Sequence, residues 1–367
     1  MNSLDARLLA YERMYSDYED ELLSLIADWL REGLNDYEVG ENIEDWKQRQ
    51  LLKTNNANYK QEIITHNRLS LIEVVALVIV ITKKEKELLL KQADEYLEVT
   101  DNENKASRLK DVSNAIAQAS RQLMIEQVQY QQQANKTILD NLKGDYREIL
   151  DDIAKEVVSG KKGIFEATHE VAKKFAERGL TVLKRRDGAK LSVEGYVSSS
   201  LRAIQKTVAI QLQEQAYDEL EIDLVETTSL ADSRITHIPF QGKIYSRSGT
   251  SLKYPPLAST GYGTITGMIT GINCRHQMYP FDEVTGQRFK PFDEKETAQN
   301  YRLSQKQREL ERSIRRAKKE LKMLEDLDAP LDELARARAK VERSEKRLDN
   351  FIDRTGRRIR LERIEPQ

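Results

Sequence analysis

No proline occurs before Pro239, and five of the seven prolines fall between Pro239 and Pro291. Proline inside a helix removes a hydrogen bond and clashes with the preceding turn, so its absence leaves the first two thirds of the chain free to form long helices. Cys274 is the only cysteine. That excludes an intrachain disulfide and a multi-cysteine zinc site, and fits a reducing compartment. Long apolar runs are also missing. The strongest, Val74–Ile81, follows Leu71 and Ile72 across Glu73. It is about half the ~20 residues needed to span a bilayer, so it predicts a buried helix segment rather than an anchor. The N-terminus is acidic and amphipathic, unlike a signal peptide. The chain shows no glycine-rich phosphate loop before a helix, no nucleophile elbow and no paired-carboxylate signature.

What the 367 residues do contain is charge and helical periodicity. Charged residues make up 33% and hydrophobic ones 39%, with a mean hydropathy of −0.66. This profile fits helices that are solvated or that pack against other chains. The formal net charge of −2 argues against a polycation made for nucleic acid. The ends differ in sign, however: residues 1–60 carry 13 acids and 7 bases, residues 302–367 carry 20 bases and 14 acids. Opposite ends of opposite sign imply a polarised molecule or two different partners.

The spacing predicts helices over 4–31, 57–98, 105–143 continuing through 145–158, Ile164–Arg178 and Val193–Leu220. Asp28 to Trp46, with two glycines, reads as a break. Gly179 is placed as the residue that ends a helix in the left-handed conformation. The glutamine-rich run Gln127–Gln133 suits either a helix face meeting other helices in an oligomer or a solvated surface. Leu180–Leu183 reads as a short strand or turn, Ile222–Thr228 as a strand, and Ile235–Ile238 and Gly242–Tyr245 as short extended pieces. Gly263, Gly267 and Gly271 imply flexibility or close backbone approach. After residue 296 the seam Leu303, Leu310, Ile314, Ala317, Leu321 and Leu324 starts a helical hairpin that turns at Asp326–Pro330. Leu334, Val341, Leu348 and Ile352 line its return, and a basic tail, Arg354–Arg363, closes the chain. The expected fold is mainly α with a small α+β domain. Four regions follow: N-terminal helices over 1–144, a helical connector over 145–221, a compact Gly/Pro-rich domain over 222–295, and a basic antiparallel hairpin and tail over 296–367.

Chemistry concentrates in residues 232–282. Arg234 and His237 open the block, and Asn273, Cys274, Arg275 and His276 stand near its end. Three readings compete. In the first, the arginines pin loops by donating to carbonyls and carboxylates while histidine and cysteine pack inside. In the second, His237, Cys274 and His276 supply three metal ligands, and Asp232, Asp282 or water the fourth. In the third, Arg234, His237, Arg275 and His276 bind and protonate a phosphate or sugar. His66 and His169 read as ordinary helix residues. Lys184–Arg186 and Arg354–Arg363 could touch phosphates, but few aromatics interleave them.

The block from Arg234 through His237, Phe240, Gln241, Gly242 and Lys243 to Tyr245 resembles the minor capsid proteins of tailed bacteriophages. Gly261, Tyr262, Gly263, Gly267, Gly271, Asn273, Cys274, Arg275 and His276, then Tyr279, Pro280 and Phe281, fit the same pattern. The resemblance covers residues 145–365 well and the N-terminal helices loosely. Phe240 stands where that family usually has tryptophan, and Ser229–Leu230 lacks a histidine expected there. The resemblance implies a non-enzymatic structural component of a phage or prophage head, made in the host cytoplasm and oligomeric in the virion. The portal and other capsid proteins are the implied partners, with packaged DNA met through the basic segments. No membrane and no cofactor are expected. Arg234, His237, Gln241, Gly242, Asn273, Cys274, Arg275 and His276 are then a family signature with a structural role, neither catalytic nor metal-binding. The rival expectation is an injected effector enzyme acting on nucleic acid or nucleotide through the Arg/His cluster.

Overall fold

The computed structural model describes residues 3–53, 58–101, 103–184, 190–264, 266–271, 273–359 and 364. The chain is mainly helical, with a small α+β part, as its periodicity implies. The helices are α1 (Ser3–Asn35), α2 (Ile43–Lys53), α3 (Asn58–Thr100), α4 (Lys105–Val158), α5 (Ile164–Arg178), α6 (Val193–Glu219), α7 (Glu294–Asp326) and α8 (Leu331–Thr355). The strands are β1 (Thr181–Lys184), β2 (Lys190–Ser192), β3 (Leu224–Thr227), β4 (Ile244–Ser246) and β5 (Met278–Pro280). Among the described residues no helix is long and apolar enough to cross a membrane. The basic loop at Lys184–Arg186 and the end of the basic tail fall largely outside the described residues.

Two expectations are corrected. Helix α1 does not end at residue 31 but continues to Asn35, into the expected break, carrying Gly33 against the side chain of Gln50. Trp46 Nε1 donates to the Gly33 carbonyl at 2.7 Å, which ties α2 back onto α1. Ile235–Ile238 is not extended: Ile235–Phe240 forms a 3₁₀ helix, started by the bond from His237 N–H to the Arg234 carbonyl at 2.8 Å. Short 3₁₀ turns are common connectors and leave no alternation to read.

Contacts divide the chain into two compact units, each assembled from segments far apart in sequence. One unit comprises residues 1–8, 72–130 and 199–306. Its core is helical, with Val74, Leu77, Val78, Ile81, Val112, Ile116, Ile204, Val208 and Leu212 all buried. The apolar run of α3 is therefore an interior helix stripe. Beside these helices stands an antiparallel sheet of order β4-β3-β5. Val225 of the central strand faces Tyr245 on one side and Pro280 on the other. Glu226 is fully buried on β3. Its carboxylate accepts the Arg288 N–H at 2.8 Å and meets the Arg288 Nε at 3.2 Å, as a buried charge must. Gln213 Nε2 of α6 donates to the Met278 carbonyl of β5 at 2.8 Å, and Tyr217 donates to Gln92 of α3 at 3.0 Å. These two bonds lock the sheet onto the helices. Helix α6 ends with Ile222 N–H bonded to the Tyr217 carbonyl and Glu221 N–H to the Asp218 carbonyl. Glu221 sits at φ 55, so the left-handed position that launches β3 is filled without glycine.

The other unit comprises residues 9–71, 131–198 and 307–367. Along α1, Tyr11, Tyr15, Tyr18, Leu22, Ile26 and Leu30 recur every three or four residues and are buried. The glutamine-rich run finds a partner within the chain. Tyr11 donates to Gln131, Tyr15 to Asn135 at 2.8 Å, and Asn135 to Ser70 at 2.7 Å. A satisfied buried network of this kind fixes helix register better than apolar contacts do. Glu19 and Lys319 form a buried pair at 2.7 Å, and Glu19 also accepts the Leu180 N–H at 3.1 Å. The α7–α8 hairpin turns where expected. Ala329 N–H reaches the Leu324 carbonyl and Asp328 N–H the Glu325 carbonyl, with Asp328 at φ 53. Leu324, Ala329 and Ala337 close a small apolar cluster with Leu321 and Leu334.

Candidate functional site

The sheet unit brings the two halves of the signature block together. The 3₁₀ helix presents His237, and the segment entering β5 presents Cys274 and His276. All three are buried, and their ligand atoms lie within 4.8 Å of one another. Cys274 Sγ stands 3.6 Å from His237 Nδ1 and 3.3 Å from His276 Nδ1. The Ile269 N–H donates to the same sulfur at 3.1 Å.

Backbone geometry explains why these side chains converge. Asn273 sits at φ 57 and Ile269 at φ 68, left-handed conformations that fold the segment back on itself. Gly267 and Gly271 are close-approach positions. A Cβ on Gly267 would lie 1.8 Å from the Gly261 carbonyl oxygen, and one on Gly271 would lie 2.2 Å from the Gly267 carbonyl oxygen. Gly263, by contrast, faces open space. Gly242 combines φ 62 with a site where a Cβ would meet Ser229 Oγ at 2.4 Å and the Pro291 nitrogen at 2.6 Å.

Each histidine is oriented by its far nitrogen. His237 Nε2 lies 3.1 Å from the Thr266 carbonyl. His276 Nε2 lies 3.1 Å from Gln241 Oε1, which also accepts the Leu230 N–H at 3.0 Å. Both partners are acceptors, so each Nε2 carries the proton and each Nδ1 presents a lone pair toward the sulfur. Burial alone would push the Cys274 thiol up. The charge of Lys206 pulls it the other way.

The remaining signature residues brace this cluster. Arg275 pairs with Asp232, which also accepts from Ser304 Oγ at 3.0 Å. Arg234 gives its carbonyl to His237, and its charge helps to lower the pKa of Lys206, an effect led by burial. Of the two carboxylates considered as a fourth ligand, Asp232 is engaged with Arg275. Asp282 accepts the Val284 N–H at 2.7 Å. Neither joins the histidine–cysteine group among the described residues. His66 and His169 are buried side chains of α3 and α5.

Sequence reasoning missed Lys206. From α6 it donates to the Cys274 carbonyl and approaches the His276 carbonyl at 3.3 Å. Nothing but a lysine on an amphipathic helix signals it. Lys206, Gln213, Asn273, Cys274, Arg275 and His276 also border a cavity of about 250 Å³.

Comparison with known proteins accords with the signature. A family model described as phage minor capsid protein 2 matches residues 3–353. A structural protein of Lactococcus phage LL-H is 32% identical over 180 residues, 47% of this chain and 48% of that protein. A structural protein of Lactococcus phage mv4 is 46% identical over 67 residues, 18% of this chain and 54% of that protein. The chain thus spans about half the length of the curated relatives it matches. No solved structure matches it.

Proposed function

Because this chain belongs to the phage minor capsid protein 2 family, we propose that it docks on the portal or the inner face of the phage head, and acts there in head assembly or DNA delivery. The observation that carries this reading is the family match along residues 3–353. It takes in the helices as well as the signature block. The two relatives, both structural proteins of phages, point the same way.

Physical features support a docking role. Long helices leave apolar side chains in water, including Ile72, Ile79, Ile125 and Tyr130. Exposed apolar positions on helices are where a partner gains most from contact. The Arg275–Asp232–Ser304 chain fits a rigid structural module better than a reactive one. We assign the protein no enzymatic activity.

The test is compositional and positional. Purified virions should contain the protein by mass spectrometry. Cross-linking of intact heads should join it to the portal or to the inner capsid surface. Heads that lack the protein altogether, or that carry it only on the outer surface, would refute the reading. Incubation of the pure chain with DNA, RNA and NAD should give no turnover. Turnover lost in His237→Ala and His276→Ala would install the effector enzyme in its place.

A further inference from the structure

The cluster at His237, Cys274 and His276 has a composition that loop pinning does not require. Each histidine gives its Nε2 proton away, to the Thr266 carbonyl and to Gln241 Oε1. Two bare Nδ1 atoms are left 3.6 Å and 3.3 Å from one sulfur inside a buried site. A thiol proton can satisfy one of the two Nδ1 atoms, but the other then has no donor among the described residues unless a cation stands among them.

The distances fit one cation in particular. In a tetrahedral site with Zn–S near 2.3 Å and Zn–N near 2.0–2.1 Å, sulfur and nitrogen stand about 3.5 Å apart. The two separations here are 3.6 Å and 3.3 Å. The shell around the ligands is also of the kind metal sites use. Each ring is held in one tautomer by an acceptor on its far nitrogen, and the sulfur receives the Ile269 N–H at 3.1 Å.

We propose that Cys274 Sγ, His237 Nδ1 and His276 Nδ1 bind one Zn²⁺, with water as the fourth ligand. Any proton on the thiol is released to solvent as the metal binds. The ion joins the 3₁₀ helix to the segment that leads into β5, so it acts as a clasp for this loop-rich part of the sheet unit. The inference does not depend on the head-protein reading.

The full chain, purified without chelator, should retain about one zinc per molecule after gel filtration, measured by elemental mass spectrometry. Cobalt loaded in its place should show a thiolate-to-metal charge-transfer band that Cys274→Ser abolishes. Gln241→Leu replaces no ligand but removes the acceptor on His276 Nε2 and should weaken zinc by about 10- to 100-fold in competition with a chromophoric chelator, while Gln241→Glu, which keeps the acceptor, should restore most of that loss. Far-UV circular dichroism identifies variants that fail to fold. A measurement on the unaltered protein covers that case: chelation should lower its melting temperature, and added zinc should restore it. Absence of bound zinc together with a melting temperature insensitive to both chelator and zinc would overturn the proposal. So would zinc bound equally well by a folded Cys274→Ser variant.

Discussion

His66 makes a sharp prediction about pH. Its ring stacks on Tyr18 at 3.6 Å between centroids and meets Tyr15 edge-on at 4.7 Å. Its Nε2 has no hydrogen-bond partner among the described residues. Burial pulls its pKa from 6.5 down to about 4. Below pH 6.5 the unfolded chain therefore takes up a proton that the folded chain refuses. Stability from this residue is present above pH 6.5 and is lost as pH falls toward 4. The full displacement corresponds to about 3 kcal/mol, of which about 2 kcal/mol disappears between pH 7 and pH 5. Asp20 works in the opposite direction. Burial raises it from 3.8 to about 6, so its contribution grows as pH falls through that window. His66→Phe keeps an aromatic ring and removes the titration, and Asp20 is common to both proteins. Urea unfolding followed by tryptophan fluorescence is the assay. Trp29 and Trp46, the only two tryptophans, lie in the same compact unit as His66. Going from pH 7 to pH 5, the original chain should lose about 2 kcal/mol more than the variant. Parallel losses would show that His66 is not held neutral by its surroundings.

Two further outcomes follow from packing. Lys319→Met leaves the Glu19 carboxylate buried without its 2.7 Å cation and should cost about 3–5 kcal/mol, whereas Glu19→Leu combined with Lys319→Met should cost far less, both by equilibrium unfolding. Gly267→Ala forces a Cβ to within 1.8 Å of a backbone oxygen and should cost about 3 kcal/mol or more. Gly144→Ala, inside α4 with nothing within 4 Å of the new Cβ, should instead stabilise by about 1 kcal/mol. Equal effects of the two glycine substitutions in thermal unfolding would show that the close approach at Gly267 is not a constraint.

The sequence by itself determined the helices. Periodic apolar positions and the absence of proline before Pro239 were enough to place α3 through α6 within a few residues, and Ile164–Arg178 to the residue. It also located the chemistry, since cysteine, proline and two histidines crowd one block. It placed the reversals after Leu220 and at Asp326–Pro330, but not which residue takes the left-handed conformation there in place of glycine. Glu221 and Asp328 take left-handed turns that a search for glycine passes over, because the strain is met by hydrogen bonds to the preceding helix turn. Nor could it pair Gln131 with Tyr11, which are 120 residues apart, because a polar helix face reads the same whether it meets water or a tyrosine. Only the tertiary structure decided that His237, Cys274 and His276 share one buried space. Spacing along the chain sets which residues are available. The left-handed turns at Ile269 and Asn273 and the contacts at Gly267 and Gly271 set which of their lone pairs meet.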